Sequence, residues 1–167
     1  MRLFTAINLT PDIKQTLKYV QDSCLSNGVR GNYIPEENLH LTLAFIGDYP
    51  DPDHILEVME IIRSDSFSIT IDGLGNFDDI WWAGLHPSQM LTKTVSRLRK
   101  AFSDYQIPYD RRKFAPHITL IRKADIQNAI PVFPIKPITM NVDHLSLMRS
   151  DRGKNQMIYT EIGSVDL

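Results

Sequence analysis

Hydrophobic residues along the chain recur at two spacings, one typical of helices and the other of strands. Apolar positions three and four residues apart line one face of an α-helix, and they predict three helices. These are expected to run from Pro11 to the Asn27-Gly28 pair, from Asp51 to about Arg63, and from Pro87 to about Tyr105. Thr10 is expected to be the N-cap of the first helix, because its hydroxyl can bind an unpaired backbone N–H.

Shorter apolar or alternating runs predict β-strands between and after these helices. The expected strands cover residues 2–8, 29–34, 38–46, 66–73, 80–85, 115–122, 138–149 and 156–163. The strand over 66–73 is expected to end at Gly73 and Gly75. The prolines of 127–137 indicate a loop or an edge segment, because proline cannot donate a ladder hydrogen bond. Strands outnumber helices, so the pattern predicts an α+β fold whose helices cover largely antiparallel sheets.

The two strongest strands carry the same short motif. Residues 40–43 read His-Leu-Thr-Leu, and residues 117–120 read His-Ile-Thr-Leu. The two histidines are 77 residues apart (117 minus 40), which is nearly half of the 167-residue chain. A repeat at that distance predicts two lobes with one motif in each, within a single domain that spans 1–167.

The residue types in this motif suit acid–base chemistry on a phosphate. Alternate side chains of a strand share a face, so His40 and Thr42 point one way, as do His117 and Thr119. Imidazole can give or take a proton near neutral pH, and a threonine hydroxyl can bind a phosphate oxygen. If the lobes face each other, two histidines and two threonines surround one phosphate. The sequence has no carboxylate-rich cluster and no His-x-x-x-His pair, so no metal and no other cofactor are expected.

Composition narrows the partners that such a site could serve. The formal net charge is −2, so the chain is not expected to coat duplex nucleic acid, and contact with an RNA end, a loop or a mononucleotide is expected instead. Cys24 is the only cysteine, which excludes an internal disulfide and suits a cytoplasmic location. No apolar run in the sequence is long enough to cross a membrane. A monomer is expected.

At these motifs the sequence resembles the 2H phosphoesterase superfamily, which is defined by two His-x-Thr-x motifs. It looks more closely like the RNA 2′,3′-cyclic phosphodiesterases, also called 2′-5′ RNA ligases. The similarity covers most of the chain and is carried by residues 2–7, 35–43, 45–47, 82–85, 114–120, 145–149 and Tyr159. It implies a bilobal, pseudo-twofold α+β fold, with antiparallel sheets lining a central cleft and helices on the outside.

The resemblance also implies metal-independent hydrolysis of a 2′,3′-cyclic phosphate to a 2′-phosphate. In that reaction His40 acts as general acid on the departing 3′ oxygen, and His117 acts as general base on water. Thr42 and Thr119 hold the phosphate oxygens. From the residues alone, the similarity of the two motifs leaves open which histidine is the acid.

Members of this family carry a further side chain, five residues after each histidine, that can flank the base or the phosphate. Those positions here are Phe45 and Arg122. Strict alternation would direct both side chains toward the core. A role in substrate binding therefore requires a bulge, a twist or a strand end within those five residues. A place in the core is the alternative for Phe45.

Several substrates and one non-catalytic role are consistent with this site. The expected partner is an RNA 3′ end, tRNA fragments among them, with reversible 2′-5′ RNA ligation as a second activity. A phosphodiesterase acting on a small cyclic nucleotide or a 2′-5′ oligonucleotide would use the same site, and so would a module that binds RNA or nucleotides without turnover. The basic residues 111–113 would favour longer RNA if they border the cleft, because they would attract its phosphates.

Overall fold

The structure, a computed structural model, describes residues 1–125 and 135–167. Within these ranges the helices are α1 (Pro11–Ser26), α2 (Pro52–Ile61) and α3 (Gln89–Asp104), with one 3₁₀ turn at Glu36–Asn38. The strands are β1 (Arg2–Asn8), β2 (Asn32–Tyr33), β3 (His40–Asp48), β4 (Phe67–Phe77), β5 (Ile80–Leu85), β6 (Ile118–Arg122), β7 (Ile138–Val142), β8 (His144–Arg152) and β9 (Met157–Asp166).

The strands form two sheets in which every neighbouring pair is antiparallel. The first sheet has the strand order β3-β1-β8-β9, and the second has the order β2-β6-β5-β4-β7. β3 and β6 contact each other although they belong to different sheets. The expected α+β fold with antiparallel sheets is therefore confirmed, and the two strands that carry the His-x-Thr motifs meet where the sheets adjoin.

The helices begin and end close to where their sequence patterns predict. Pro11 is the first residue of α1, a position where its missing N–H leaves no hydrogen bond unmade. Ser88 and Asp51 accept backbone hydrogen bonds from the first turns of α3 and α2. Thr10 precedes α1, but its side chain makes no capping hydrogen bond, contrary to expectation.

Buried apolar side chains from all three helices and both sheets form the core. Leu17 of α1, Val58 of α2 and Phe102 of α3 belong to it, together with Leu41 and Ile118. The last two are the residues between histidine and threonine in each motif. Because neighbours along a strand face opposite ways, burial of these two residues turns the motif histidines and threonines away from the core.

The prediction of a single strand over 138–149 is wrong. β7 pairs with β4 in the second sheet, whereas β8 pairs with β1 in the first. The chain changes sheets at the exposed Asp143. The alternation of apolar residues changes phase there, because Met140 and Val142 are followed by Leu145 and Leu147. That change of phase is the sequence signal for the break.

β4 continues through the glycines at which it was expected to end. Gly73 has a positive φ of 80°, and the register with β5 shifts between Ile71 and Leu74. The shift absorbs the glycine, so pairing resumes and reaches Phe77. The strand expected over 29–34 is shorter than predicted, with only Asn32–Tyr33 paired to β6. Most of the loop expected over 127–137 lies outside the described residues.

The described residues contain neither a helix that could cross a membrane nor a cluster of side chains that could bind a metal ion. In 1–125 and 135–167, no helix is both long and apolar enough to cross a membrane. The same ranges contain no group of three or more histidine, cysteine, aspartate or glutamate side chains that could hold a metal ion.

Candidate active site

His40 is the first residue of β3, and both of its ring nitrogens have a polar neighbour. Nδ1 lies 2.6 Å from the carbonyl oxygen of Asn38. Because a carbonyl oxygen can only accept, Nδ1 carries the proton, and Nε2 of the neutral ring has the lone pair. The Thr42 hydroxyl lies 2.8 Å from Nε2 and donates to it in that state. His40 therefore presents Nε2 for proton transfer, beside a hydroxyl group.

His117 immediately precedes β6 and repeats this arrangement. Its Nδ1 lies 2.7 Å from the carbonyl oxygen of Ala115, so Nδ1 is again the donor and Nε2 the nitrogen that can exchange a proton. In both motifs the carbonyl belongs to the residue two positions before the histidine. The half-buried Thr119 lies two positions after it on β6. The repeated sequence motif thus produces the same tautomer twice.

Aromatic side chains flank both imidazole rings. The neighbours are Phe4 and Tyr159 for His40 and Phe77 and Trp82 for His117, at ring-centroid distances of 5.0, 5.2, 5.2 and 6.4 Å respectively. Tyr159 and Phe77 each meet their histidine nearly edge to face. Such contacts restrict rotation of the imidazoles and keep water from their sides.

Burial lowers the pKa of His40, because the imidazolium ion would lose its hydration. The hydrogen bond to Asn38 opposes this change, and the positive charges of Arg122, Lys14 and His117 add to it. The contacts of β6 with β3 and with α1 agree with this, because they bring the second motif strand and α1 near His40.

A β-bulge in β3 places Phe45 on the same side as His40. Thr42 pairs with Ala6 and Ala44 pairs with Thr5, so Leu43 is an extra residue between them. Leu43 and Ala44 are both buried, and the alternation of faces changes phase after them. Phe45 is 36% exposed and stacks on Phe4, which itself contacts His40. The alternative of a core position for Phe45 is therefore wrong.

β6 contains a bulge at the equivalent position. Thr119 pairs with Trp82 and Ile121 pairs with Trp81, which leaves Leu120 as the extra residue. Leu120 and Ile121 are buried, and Arg122 is exposed. In each motif the extra residue is the third after the histidine. The fifth residue consequently shares a face with the histidine in both strands.

The chain matches a known protein family over most of its length. A family model described as the 2′-5′ RNA ligase superfamily matches residues 14–154. The chain belongs to the 2′-5′ RNA ligase superfamily. The resemblance seen in the sequence is thereby confirmed.

Curated relatives and solved structures agree with this membership. RNA 2′,3′-cyclic phosphodiesterase of Thermotoga maritima is 28% identical over 95% of this chain and 91% of its own length. The Escherichia coli protein of the same name is 30% identical over 78% of this chain and 76% of its own. The crystal structure of Escherichia coli LigT complexed with 3′-AMP superposes with a TM-score of 0.89 at 27% identity, covering 99% of this chain and 97% of that chain.

A helix side chain binds the carbonyl group of each bulge in this 2′-5′ RNA ligase superfamily member. Arg99 of α3 donates from Nε and Nη2 to the Leu43 oxygen, at 3.2 and 2.9 Å. Gln21 of α1 donates from Nε2 to the Leu120 oxygen at 2.9 Å, and also to the Ile34 oxygen at 2.9 Å. A bulge disturbs the ladder of backbone hydrogen bonds, and these side chains supply donors there. The Leu120 oxygen also accepts a hydrogen bond from Ile34 N–H at 2.9 Å.

Two cations near His40, Lys14 and Arg122, have no acidic partner among the residues that the structure describes. Within the described part of the chain, no carboxylate lies at salt-bridge distance from Lys14 or Arg122. Lys14 is half-buried in the first turn of α1, and Arg122 ends β6. Their charges are therefore available to a bound anion.

The basic segment 111–113 is exposed throughout. Arg112 forms an ion pair with Asp110, which holds the pKa of that carboxyl at about 2. The guanidinium of Arg111 lies 5.0 Å from the ring centre of Tyr109. Part of the charge of this segment is therefore compensated within the chain.

Sequence reasoning missed several residues that contact or influence the two histidines: Phe4, Lys14, Phe77 and Tyr159. Each reaches the site from an element remote in sequence from the motif that it approaches. The family resemblance already included Phe4 and Tyr159, but no local pattern assigns either a place beside His40. Phe77 carried one signal, because an apolar residue after two glycines fits neither the expected strand nor a polar turn.

Proposed function

We propose that this chain hydrolyses 2′,3′-cyclic phosphates at RNA 3′ ends to 2′-phosphates, with His40 and His117 as the proton-transfer pair. One observation carries the proposal. Both histidines bind a carbonyl through Nδ1 and present Nε2, His40 at the start of β3 and His117 directly before β6, and these two strands contact each other. The relatives named RNA 2′,3′-cyclic phosphodiesterase support the choice of substrate.

The reaction needs one proton acceptor and one proton donor on opposite sides of phosphorus. His117 Nε2 takes a proton from water as the water oxygen bonds to phosphorus. His40 Nε2 gives a proton to the 3′ oxygen as the bond from phosphorus to that oxygen breaks. The phosphate remains on the 2′ oxygen, and each histidine ends in the protonation state in which the other began.

The surroundings of His40 suit it to the role of acid. Its lowered pKa makes the imidazolium ion a stronger acid than an ordinary histidine. A bound phosphate is anionic, so it favours the protonated form and offsets the repulsion from Lys14 and Arg122. The bound substrate thus favours protonation of His40, and the reaction consumes that proton.

The remaining site residues stabilise and orient the phosphate and its nucleoside. Thr42 and Thr119 hydroxyls donate to the non-bridging oxygens, where negative charge grows in the transition state. Arg122 and Lys14 contribute positive charge there. Phe45 offers exposed apolar surface on the His40 side, where the base of the departing 3′ oxygen lies. The two lobes act together as one catalytic domain over 1–167.

A phosphodiesterase for small cyclic nucleotides or 2′-5′ oligonucleotides is the second candidate. It is favoured by the ion pair between Arg112 and Asp110, which reduces the free positive charge available to a longer RNA. The chemistry at phosphorus would be the same, and only the length of the bound substrate would differ.

The test is conversion of an oligoribonucleotide that ends in a 2′,3′-cyclic phosphate, in the presence of EDTA. His40→Ala and His117→Ala are compared with the wild type and with His86→Ala, a control whose exposed ring pairs with Asp72. We expect the wild type and the control to produce the 2′-phosphate. Each site variant should be slower by roughly 10²- to 10⁴-fold, because a proton-transfer group is lost. Absence of turnover by the wild type would refute the proposal.

A further inference from the structure

Asn38 is a buried polar residue to whose side chain the hydrolysis proposed above gives no role. It ends the 3₁₀ turn that precedes β3, and only 6% of it is exposed. Its backbone N–H donates to the Pro35 oxygen at 2.9 Å, and its carbonyl oxygen accepts from His40 Nδ1 at 2.6 Å. Its side chain donates from Nδ2 to the Met157 oxygen at 2.8 Å. All three groups therefore have a partner, and one partner is the histidine of the first motif.

The Asn38 side chain joins the two edges of the first sheet. In the strand order β3-β1-β8-β9, the outermost strands are β3 and β9. Asn38 lies two residues before the start of β3, and Met157 is the first residue of β9, so the hydrogen bond between them links one edge to the other. An exposed hydrogen bond from Gln156 Nε2 to the Glu37 carboxylate, at 3.1 Å, lies beside it. The sheet is thus curled, and the start of β9 lies beside the turn that precedes His40.

The same closure of the sheet brings an aromatic ring of β9 against His40. Tyr159 follows Met157 by two residues, and its ring centre lies 5.2 Å from that of His40, with the two planes at 89°. The Tyr159 ring also packs on Phe4 at a centroid distance of 5.1 Å. Such contacts hold an imidazole from the side, while the carbonyl group holds it at Nδ1. The Asn38 side chain thus supports His40 in two ways, through its own carbonyl group and through β9.

The second motif has no side chain that does this work. The carbonyl that His117 Nδ1 binds, at 2.7 Å, belongs to Ala115. Ala115 and Pro116 are both exposed, and a methyl group has no hydrogen-bond donor. The carbonyl that orients His40 is therefore anchored by the side chain of its own residue, whereas the carbonyl that orients His117 is not. The two histidines share a motif but differ in how firmly their surroundings hold them.

We propose that Asn38 is a positioning residue for His40, whose side chain fixes the carbonyl group that keeps a proton on Nδ1. The hydrogen bond at one ring nitrogen of a histidine determines which nitrogen carries the proton of the neutral ring. This inference rests on the proposed function, in which His40 Nε2 gives its proton to the 3′ oxygen. The neutral ring that remains has its proton on Nδ1, so a fixed acceptor there stabilises the product of the transfer and favours it.

The first measurement follows the tautomer directly and needs no substrate. The NMR chemical shifts of the two imidazole nitrogens distinguish the tautomers of a neutral histidine, and His40→Ala and His117→Ala assign the signals. In the wild type we expect both histidines to carry the proton on Nδ1. Asn38→Leu removes the donor and keeps a side chain of similar size. The His40 signals should then move toward the average of the two tautomers, while those of His117 stay in place as an internal reference.

The second measurement is hydrolysis of the cyclic phosphate end by the same variants. Asn38→Leu should lower kcat roughly tenfold, the usual effect of losing one buried hydrogen bond, and leave KM near the wild-type value. Gln156→Leu removes only the exposed link to Glu37 and should keep the wild-type kcat. Thr94→Val removes a buried hydrogen bond of 2.9 Å to Ser64, which involves neither motif. It should lower the stability to urea without a change in kcat.

Unchanged His40 signals in Asn38→Leu would overturn the inference, and so would equal losses of kcat in Asn38→Leu and Thr94→Val. If Asn38→Leu does not fold, Asn38→Asp takes its place, because an ionised carboxylate of nearly the same shape cannot donate. The wild type alone also tests the inference, since a mixture of tautomers at His40 would contradict it. Failure of the wild type to consume the cyclic phosphate would refute the proposed function, whereas the imidazole signals would still decide whether Asn38 fixes the tautomer.

Discussion

Lys14 shows how a charge outside the motifs can set the chemistry of a residue within them. It lies half-buried in the first turn of α1, and its positive charge lowers the pKa of His40. The effect makes His40 a stronger acid and makes its protonated form less populated. Lys14 thus influences both the strength and the availability of the proton that hydrolysis requires.

The alkaline limb of the pH–rate profile should move when this charge is removed. In the proposed mechanism His40 is the acid and must be protonated, so kcat/KM is expected to fall as pH rises through its pKa. Lys14→Met removes a cause of the lowered pKa, and the limb should shift to higher pH. The plateau should drop by roughly tenfold, because a charged contact to the phosphate is lost as well.

Lys18→Met is the matched control for this prediction. Lys18 lies one turn further along α1, where it pairs with Asp22 at 3.0 Å. Its removal should leave the limb in place. An equal shift in both variants would mean that the net charge of the helix, rather than the position of Lys14, determines the profile.

The sequence identifies the residues whose roles depend on local pattern. His40, Thr42, His117 and Thr119 are predictable, because a repeated His-x-Thr in two strands is visible without the fold. Lys14 lacks any such pattern. A lysine in the first turn of a helix is ordinary, and only the packing of α1 against β6 explains why this charge acts on His40.

At the scale of secondary structure, the two bulges decide which side chains enter the site. Without Leu43 and Leu120 as extra residues, Phe45 and Arg122 would face the core. Arg99 and Gln21 bind the carbonyls of these extra residues, and each is the eleventh residue of its own helix. The helices therefore maintain the phase change on which the site depends.

Removal of one of these helix side chains should affect both stability and activity. Gln21 is 2% exposed and donates to the carbonyls of Ile34 and Leu120. Gln21→Met should lower the free energy of unfolding by about 1–3 kcal/mol, because the Ile34 oxygen would lose this donor and the Leu120 oxygen would keep only the Ile34 N–H. Urea denaturation measures this, with Gln15→Met on the exposed face of α1 as the control.

A double-mutant cycle can separate this positioning role from a general loss of stability. Gln21→Met should lower kcat/KM in the wild-type background, because Arg122 would no longer be held toward the phosphate. It should have little further effect when Arg122→Ala is already present. Equal losses in both backgrounds would show that Gln21 does not act through Arg122.

Most of the strands and helices could be predicted, and the failures have a common cause. The helices follow from their apolar faces, and the motif strands follow from their apolar runs. The break within 138–149 and the extension of β4 past Gly73 depend on which strand pairs with which. Pairing is a long-range property, and a hydrophobic pattern does not contain it. The bulges are long-range features for the same reason.

At the scale of the whole molecule, positive and negative charges are nearly balanced. The cations expected to bind the substrate phosphate, Lys14 and Arg122, lie near His40. The formal net charge is −2. Arg112 is paired with Asp110, whereas Lys14 and Arg122 have no carboxylate partner among the described residues. An RNA should therefore be held at its terminal phosphate rather than along its length.

The salt dependence of catalysis should be shallow and independent of RNA length. Each phosphate contact to a single strand contributes about −0.7 to the slope of log(kcat/KM) against log salt. Two cations predict a slope of roughly −1 to −2 for both a short and a long oligoribonucleotide. A slope that steepens with length would show instead that a longer surface, such as residues 111–113, binds the strand.

The bulge in each motif strand is bound by a helix that follows a strand of the other sheet, so the two motifs depend on each other during folding. α1 follows a strand of the first sheet yet holds β6 of the second, while α3 follows a strand of the second sheet yet holds β3 of the first. Neither motif can reach its final shape until the other half of the chain has docked. A partly folded chain, such as one still leaving the ribosome, would thus have no working acid–base pair, and cellular RNA would be exposed only to the finished enzyme.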